Sequence, residues 1–267
     1  MNNGAIGIFD SGLGGLTVVR EIEKQLPGES IIYFGDTGRV PYGTRSSETV
    51  AIYASQAEAL LLRHNVKMII AACGTVSSVA AHTGDSLPVK FMGVVDSAAA
   101  EAVRVTQNGR VGVIGTAATI NSGAFARRIK AANGDIEVTG NECSLLVQLV
   151  ENGWIDREDP VTRLTVERYL EPVRAAGVDT LILGCTHFPV LEGLIAYYMG
   201  AGCTLINTGR TTAAAAGEYL KQNDMLAQSP AGYKYFFTDK NAAFERTVRI
   251  LMGRELGNTE FISVDSL

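Results

Sequence analysis

The feature that most restricts the fold of this chain of 267 residues is a repetition. Eight short apolar runs alternate with helix-like stretches, and they fall into two sets of four in one order. The first set is AIGIFD, SIIYFGD, VKMIIAAC and VKFMGVVD; the second is RVGVIGT, DIEVTG, VDTLILGC and CTLINT. Residues 66–76 (VKMIIAACGTV) overlay 178–188 (VDTLILGCTHF), with valine, isoleucine and cysteine coinciding, so that Cys73 falls on Cys185. At nearly the same spacing IGIFDSG (6–12) overlays VGVIGTA (111–117), and VVDS (94–97) overlays LINT (205–208). Strands alternating with helices predict parallel sheets with crossover helices. Four strands recurring in order predict duplicated half-units and not a solenoid, whose periods are shorter. The expected fold is therefore α/β: two similar parallel-sheet lobes related by pseudo-symmetry, facing each other across a cleft. Ligands in open α/β sheets bind beyond the carboxyl ends of strands. Both cysteines stand at such ends, which places one on each wall of the cleft.

Helix signals agree with this alternation. In DPVTRLTVERYLEPVRAAG, Asp159 is placed to cap, Pro160 occupies a first-turn position and Gly177 supplies the stop. SETVAIYASQAEALLLRHN gives a second long helix in the first half.

Composition narrows the partners. Lys and Arg number 23 against 28 Asp and Glu, so the chain has no basic footprint for nucleic acid. An anionic ligand has to be met by local donors and not by a global field. The beginning, MNNGAIGIFDSG, reads without the charged and apolar regions of a signal peptide. Apolar runs such as MIIAAC are far shorter than the roughly 18 residues that cross a bilayer. Cys73, Cys143, Cys185 and Cys203 read as reduced thiols. The expectation is a cytoplasmic protein with a small-molecule substrate, no nucleic acid and no membrane partner.

Two opposed thiols suggest a particular chemistry. A thiol is a general acid and its thiolate a base, with an ordinary pKa near about 8.5; helix N-termini and nearby histidine favour the thiolate. On opposite faces of one carbon, one thiolate removes a proton while the other thiol delivers one, which inverts the centre. His187, two residues past Cys185, is placed to tune that thiol, and Asp10, at the end of the first strand, to tune Cys73. In DSGLGG (10–15) the glycines free backbone N–H groups to approach an anion beside Asp10 and Ser11. VPYG (40–43) reads as a turn offering the Tyr42 hydroxyl and the Gly43 amide. Gly74-Thr75 and Thr186-His187 follow the cysteines into helices, whose N-termini hold carboxylates without lysine or arginine. The glycine run is not a P-loop, because the following Lys-Ser/Thr is missing, and it lacks the dinucleotide spacing. Cys143 and Cys203 read as structural, and His64 and His82 as surface residues. Glu151, closing LLVQLVE, reads by itself as a solvated helix-end charge.

Taken together, IGIFDSGLGGLTVVREI, YFGDTGRVPYGTRS, ACGT, GVIGTAATINSGAF, LVQLVENG and LGCTHFPVL resemble the cofactor-independent glutamate racemases of the aspartate/glutamate racemase superfamily. The resemblance implies racemisation of L- and D-glutamate by two bases without pyridoxal phosphate or metal, supplying D-glutamate to peptidoglycan synthesis. By motif position it makes Cys73 the base for the D-enantiomer and Cys185 the base for the L-enantiomer, with Asp10, His187 and Glu151 assisting proton transfer. It assigns substrate binding to Asp10, Ser11, Tyr42, Gly43, Gly74, Thr75, Thr186 and His187, and adds the hydroxyls of Thr116 and Thr119 from the matching loop of the second half. It also implies a first lobe of residues 1–97 plus 208–267, a second lobe of 98–207, and a homodimer. Two positions depart from the family pattern: Gly74 stands where Asn is commoner, and Asn207 where Asp is more usual. The missing Asn amide predicts a weaker hold on a substrate carboxylate, by about 1.5–3 kcal/mol where nothing replaces the bond.

Other readings share these residues. A racemase of a related amino acid such as aspartate would keep both cysteines. A zinc-dependent hydrolase would use Cys73, Cys185 and His187 as three ligands, though without the close C-x-x-C spacing. A two-lobed binding protein would have no use for opposed thiols. A Cys73–Cys185 disulfide would need the Cα atoms within about 7 Å.

Overall fold

The computed structural model describes residues 4–227 and 232–267. Among the described residues ten strands form two sheets. The first holds β1 (Ala5–Asp10), β2 (Ile31–Gly35), β3 (Val66–Ala71), β4 (Lys90–Gly93), β9 (Tyr233–Phe237) and β10 (Thr259–Phe261), in the order β10-β9-β2-β1-β3-β4. The second holds β5 (Arg110–Gly115), β6 (Glu137–Glu142), β7 (Thr180–Leu183) and β8 (Thr204–Asn207), in the order β6-β5-β7-β8. Every pairing is parallel. Every residue of β1 and β3 is buried, as strands covered by helices on both faces require.

The duplication is one of register as well as order. Ile6 pairs with Ile31 and Met68 in the first sheet, and Val111 with Val138 and Thr180 in the second. Under that overlay Cys73 and Cys185 are equivalent, each two residues beyond its strand. The same register corrects the match of VVDS to LINT. Gly93 lies opposite Ala71, and Asn207 opposite Leu183, so the counterpart of Asn207 is Gly93 and not Asp96. The apolar run continues past Gly93 because Val94 and Val95 belong to the buried first turn of the Val94–Val105 helix. The two helix starts are capped differently. The Asn207 side chain accepts from the Arg210 N–H at 3.1 Å, whereas Val94 N–H finds Ser77 Oγ at 3.1 Å.

The long helices begin where the sequence signals place them. Asp159 Oδ1 accepts from Thr162 N–H at 2.8 Å ahead of the Pro160–Ala175 helix, and Gly177 beyond its end takes φ 66°. Ser46 caps the Ser47–Leu62 helix through Thr49 N–H. Strands β9 and β10 extend the first sheet past β2 and, among the described residues, have no counterpart in the second. Among the described residues no helix is long and apolar enough to cross a membrane.

Candidate active site

The carboxyl ends of the two sheets meet. Thr75 Oγ1, from the Gly74–Val79 helix, lies 3.0 Å from Thr116 Oγ1 at the end of β5, and Thr17 Oγ1 donates to the Thr186 carbonyl at 2.8 Å. Between these contacts is a cavity of about 270 Å³. That volume lies just below the range of about 300–1,000 Å³ usual for ligand pockets and suits a molecule of amino-acid size. Cys73 and Cys185 both line it, with Ser11, Tyr42, Gly43, Gly74, Thr75, Thr116, Glu151, Thr186 and His187. Asp10 and Thr119 stand behind its wall. Asp10 is buried and accepts from Gly12 N–H at 3.0 Å and from Thr186 Oγ1 at 3.5 Å. Thr119 is buried with its hydroxyl 3.1 Å from that of Thr116. Neither is among the residues that line the cavity.

The two thiols have different surroundings. Cys73 caps the Gly74–Val79 helix, and its Sγ lies 3.6 Å from Ser11 Oγ. Burial pushes the Cys73 thiol up to about 12, and the nearby Asp10 carboxylate adds to this against the opposing Val76 N–H and Ser11 hydroxyl. Cys185 Sγ lies 3.8 Å from His187 Nδ1, and His187 Nε2 is 3.1 Å from Glu151 Oε1. Burial of the imidazole opposes its protonation, but hydrogen bonds to Cys185 and Glu151 outweigh it and raise His187 to about 10. The ring thus links Cys185 to Glu151 and holds its proton more tightly than an ordinary imidazole does. Burial also raises the Asp10 carboxyl, against the His187 charge and the Gly12 and Gly15 N–H groups.

Glu151 is partly exposed, as its helix-end position suggests, but it is paired and not free. It closes the Leu145–Glu151 helix with its carboxylate turned onto His187, while its backbone carbonyl accepts from Thr247 Oγ1 at 3.3 Å. Ser144, Leu145 and Gln148 also line the cavity. Gln148 lies three residues before Glu151, on the same helical face, so the period of LLVQLVE was the signal that could have found it. Val40 and Pro41, before Tyr42, complete the wall from the other side.

Two expected donors serve other partners. Tyr42 lines the cavity, and its hydroxyl donates to Asp36, which is fully buried, so its proton is already engaged. Burial, with the Asp36 charge behind it, holds the Tyr42 phenol protonated well above its ordinary range. In the glycine run, Gly12 N–H is engaged by Asp10, and Gly14 makes room for the opposite lobe. A Cβ on Gly14 would collide with Thr186 Oγ1 and stand 2.7 Å from His187 Nδ1. Close approach of the lobes explains that glycine better than anion binding does.

Away from the cavity, Cys143 Sγ donates to the Asn141 carbonyl at 3.6 Å in the core, and Cys203 is half-buried. His82 is exposed, whereas His64 is half-buried with its ring 4.8 Å from that of Phe236. All four cysteines are free thiols. Among the described residues, no three His, Cys, Asp or Glu side chains are grouped to hold a metal ion, so the three zinc ligands do not converge.

Residues 6–216 match the family described as Asp/Glu/hydantoin racemase. The chain belongs to that family. Among relatives in the Asp/Glu/hydantoin racemase family, the glutamate racemase of Geobacter metallireducens is 43% identical over 265 residues, covering 98% of this chain and 97% of that protein. Among solved structures, glutamate racemase from Francisella tularensis in complex with D-glutamate is 34% identical, with a TM-score of 0.92 and complete coverage of both chains. A glutamate racemase isoform from Bacillus anthracis is 33% identical with a TM-score of 0.94, covering 99% of each chain.

Proposed function

We propose that this protein is a glutamate racemase that interconverts L- and D-glutamate by two-base proton transfer and supplies D-glutamate for peptidoglycan synthesis. The observation that carries this reading is the pair of thiols, one from each duplicated half, on the wall of one small cavity. Cys73 is the base for D-glutamate and Cys185 the base for L-glutamate. A thiol raised to about 12 is protonated at neutral pH, so Cys73 rests as the acid. Cys185 lies 3.8 Å from His187 Nδ1, its partner in the proton transfer. In the L-to-D direction Cys185 takes the α-proton and Cys73 returns one to the opposite face.

Glu151 helps His187 hold its proton, and Asp10, behind the wall, orients Thr186 and the Gly12 turn. Among the described residues neither lysine nor arginine lines the cavity. The substrate carboxylates are therefore held by hydroxyls of Ser11, Thr75, Thr116 and Thr186, by N–H groups at Gly43, Gly74 and Thr75, and by His187. Thr119 supports Thr116. The reaction needs no group beyond these side chains. One lobe comprises residues 1–97 with 208–267, of which 1–3 and 228–231 lie outside the described residues, and the other 98–207, and the protein works as a cytoplasmic homodimer.

The test is incubation of the reduced protein with L-glutamate in D₂O, without pyridoxal phosphate, with the α-proton followed by NMR and the product by chiral analysis. Deuterium at Cα with D-glutamate accumulating is expected. Exchange of aspartate in place of glutamate would move the substrate, and exchange of neither would overturn the reading.

A further inference from the structure

Tyr33, in the middle of β2, is a fully buried titratable side chain that the proposed reaction does not use. Its hydroxyl donates to the Gly12 carbonyl at 2.7 Å, and the Gly12 N–H donates in turn to Asp10 Oδ1 at 3.0 Å. Both backbone groups of Gly12 are therefore held, one from β2 and one from the end of β1. The residue between Asp10 and Gly12 is Ser11, whose Oγ lies 3.6 Å from Cys73 Sγ. The fit around this turn is close. A Cβ on Gly35 would run into the Gly12 carbonyl oxygen, and a Cβ on Gly15 would stand 3.0 Å from the Tyr33 hydroxyl. The ring itself packs against those of Phe237 and Tyr235 on β9, with centroids 5.7 and 6.4 Å away. Burial, with the charges of Asp10 and Cys73 behind it, keeps the phenol protonated above its ordinary range, so it is a standing donor. The second half has no such group. Ile8 pairs with Tyr33 and Val113 with Gly140, so the counterpart of Tyr33 is a glycine.

We propose that Tyr33 is a positioning residue for Cys73: its hydroxyl holds the Gly12 carbonyl and so keeps the Ser11 hydroxyl on the Cys73 sulfur. The ionisable groups felt at that sulfur are Asp10, Cys185, Tyr33 and Tyr42, all of which disfavour a second negative charge. Against them and against burial, the Val76 N–H and the Ser11 hydroxyl favour the thiolate. Of these two, Ser11 is on the turn that Tyr33 fixes. Removing the phenol hydroxyl frees the Gly12 carbonyl, loosens that turn and weakens the base for the D-enantiomer, while Cys185, His187 and Glu151 keep their contacts. The kinetic consequence rests on the two-thiol reading above; the effect on the Cys73 thiol does not.

The experiment uses Tyr33→Phe, which keeps the ring and removes the hydroxyl. Its kcat/KM should fall about tenfold in both directions, as an unchanged equilibrium requires. The deuterium isotope effect on kcat/KM should rise with Cα-deuterated D-glutamate, whose proton Cys73 removes, and fall with the L-enantiomer, because the step at Cys73 becomes the slower one. A general loss of structure would slow the reaction without redistributing the two isotope effects. Alkylation by iodoacetamide at pH about 9, read by peptide mass spectrometry, follows the thiols without turnover. Cys73 should react about threefold more slowly in Tyr33→Phe, with Cys185 at the parent's rate. Ser11→Ala should slow Cys73 in the same way, and combining the two substitutions should add nothing further. Unchanged isotope effects together with an unchanged Cys73 rate would overturn the proposal, and additive slowing would overturn the route through Ser11. A parent that fails to racemise glutamate while Cys73 still slows in Tyr33→Phe would overturn the proposed function and leave the positioning role standing. Should Tyr33→Phe not fold, the crystal structure of the unsubstituted chain decides: a Tyr33 hydroxyl out of hydrogen-bond reach of the Gly12 carbonyl refutes the proposal, and contact supports it.

Discussion

The Cys73 turn and the Cys185 turn hold equivalent places in a duplicated fold, but they meet different chemistry. Both follow a buried central strand by two residues, and both sulfurs face one cavity. Cys73 is followed by Gly-Thr and has Ser11 for a neighbour, with no cation of its own; Cys185 is followed by Thr-His and has an imidazole held by Glu151. Topology supplies two thiols on the wall of one cavity, and the residues after each supply different partners. A racemase needs both, because in each direction one thiol must begin empty and the other loaded.

The strongest test of that comparison removes one thiol at a time. Cys73→Ala and Cys185→Ala should each reduce racemisation by about 10³–10⁴-fold, the range for loss of a positioned acid or base. They should differ in what survives. Cys73→Ala keeps slow deuterium exchange with L-glutamate only, and Cys185→Ala with D-glutamate only, both read by NMR on enantiopure substrate. Exchange of both enantiomers by either variant would mean that a single base serves both faces.

The next test makes the Cys185 side resemble the Cys73 side. His187→Asn should lower kcat by about 100-fold. Glu151→Gln should cost about tenfold, the low end for a charge-assisted hydrogen bond because the carboxylate is partly exposed. Glu151→Gln also takes away a group that raises His187. The alkaline limb of the kcat profile should therefore move to lower pH, and a limb that stays in place would separate Glu151 from the proton transfer.

The same imidazole makes a smaller mark on stability. Its pKa rises on folding from an ordinary 6.5 to about 10, so the folded state binds the proton more tightly. The stabilisation is complete below about 6.5 and is lost as pH rises through about 10. Cys73, raised from 9.0 to about 12, adds a loss of the same sign at higher pH. The Tm of the parent should fall between pH 6.5 and 10, and that of His187→Asn should fall less over the same window, as measured by calorimetry. Equal slopes would show that the imidazole titrates alike in both states.

The sequence revealed the duplicated architecture because strand order and the cysteines repeat at nearly constant spacing, and backbone register preserves both. Hydrophobic pattern did not reveal where β4 ends, because Val94 and Val95 stay buried while the chain changes from strand to helix. Strands β9 and β10 lie outside the repeat, and TEF is too short to carry a period. In the site, residue type was a good guide to what gathers at the cavity and a poor one to which way it points. The Tyr42 hydroxyl is drawn back by a buried Asp36, and Gly14 answers to Thr186 and His187 from a distant part of the chain. Glu151 could be read as solvated because nothing local in LLVQLVE announces a histidine 36 residues away. Each of these depends on a tertiary partner, which pattern along the chain does not encode.

The smallest expected effect concerns how each cysteine turn is tied to the other lobe. Beside Cys73 the tie is between two hydroxyls, Thr75 and Thr116; beside Cys185 it is the Thr17 hydroxyl on the Thr186 carbonyl. Thr17→Val leaves a buried carbonyl without that donor and should cost about 1–3 kcal/mol in urea unfolding. Thr75→Val and Thr116→Val remove groups that have other outlets, since Thr116 retains a contact with Thr119. A double-mutant cycle over Thr75 and Thr116 should return a coupling of about 1 kcal/mol or less. With that ordering, the Cys185 turn is the firmly docked one and the Cys73 turn the more easily parted. A coupling across Thr75 and Thr116 larger than the cost of Thr17→Val would reverse that assignment.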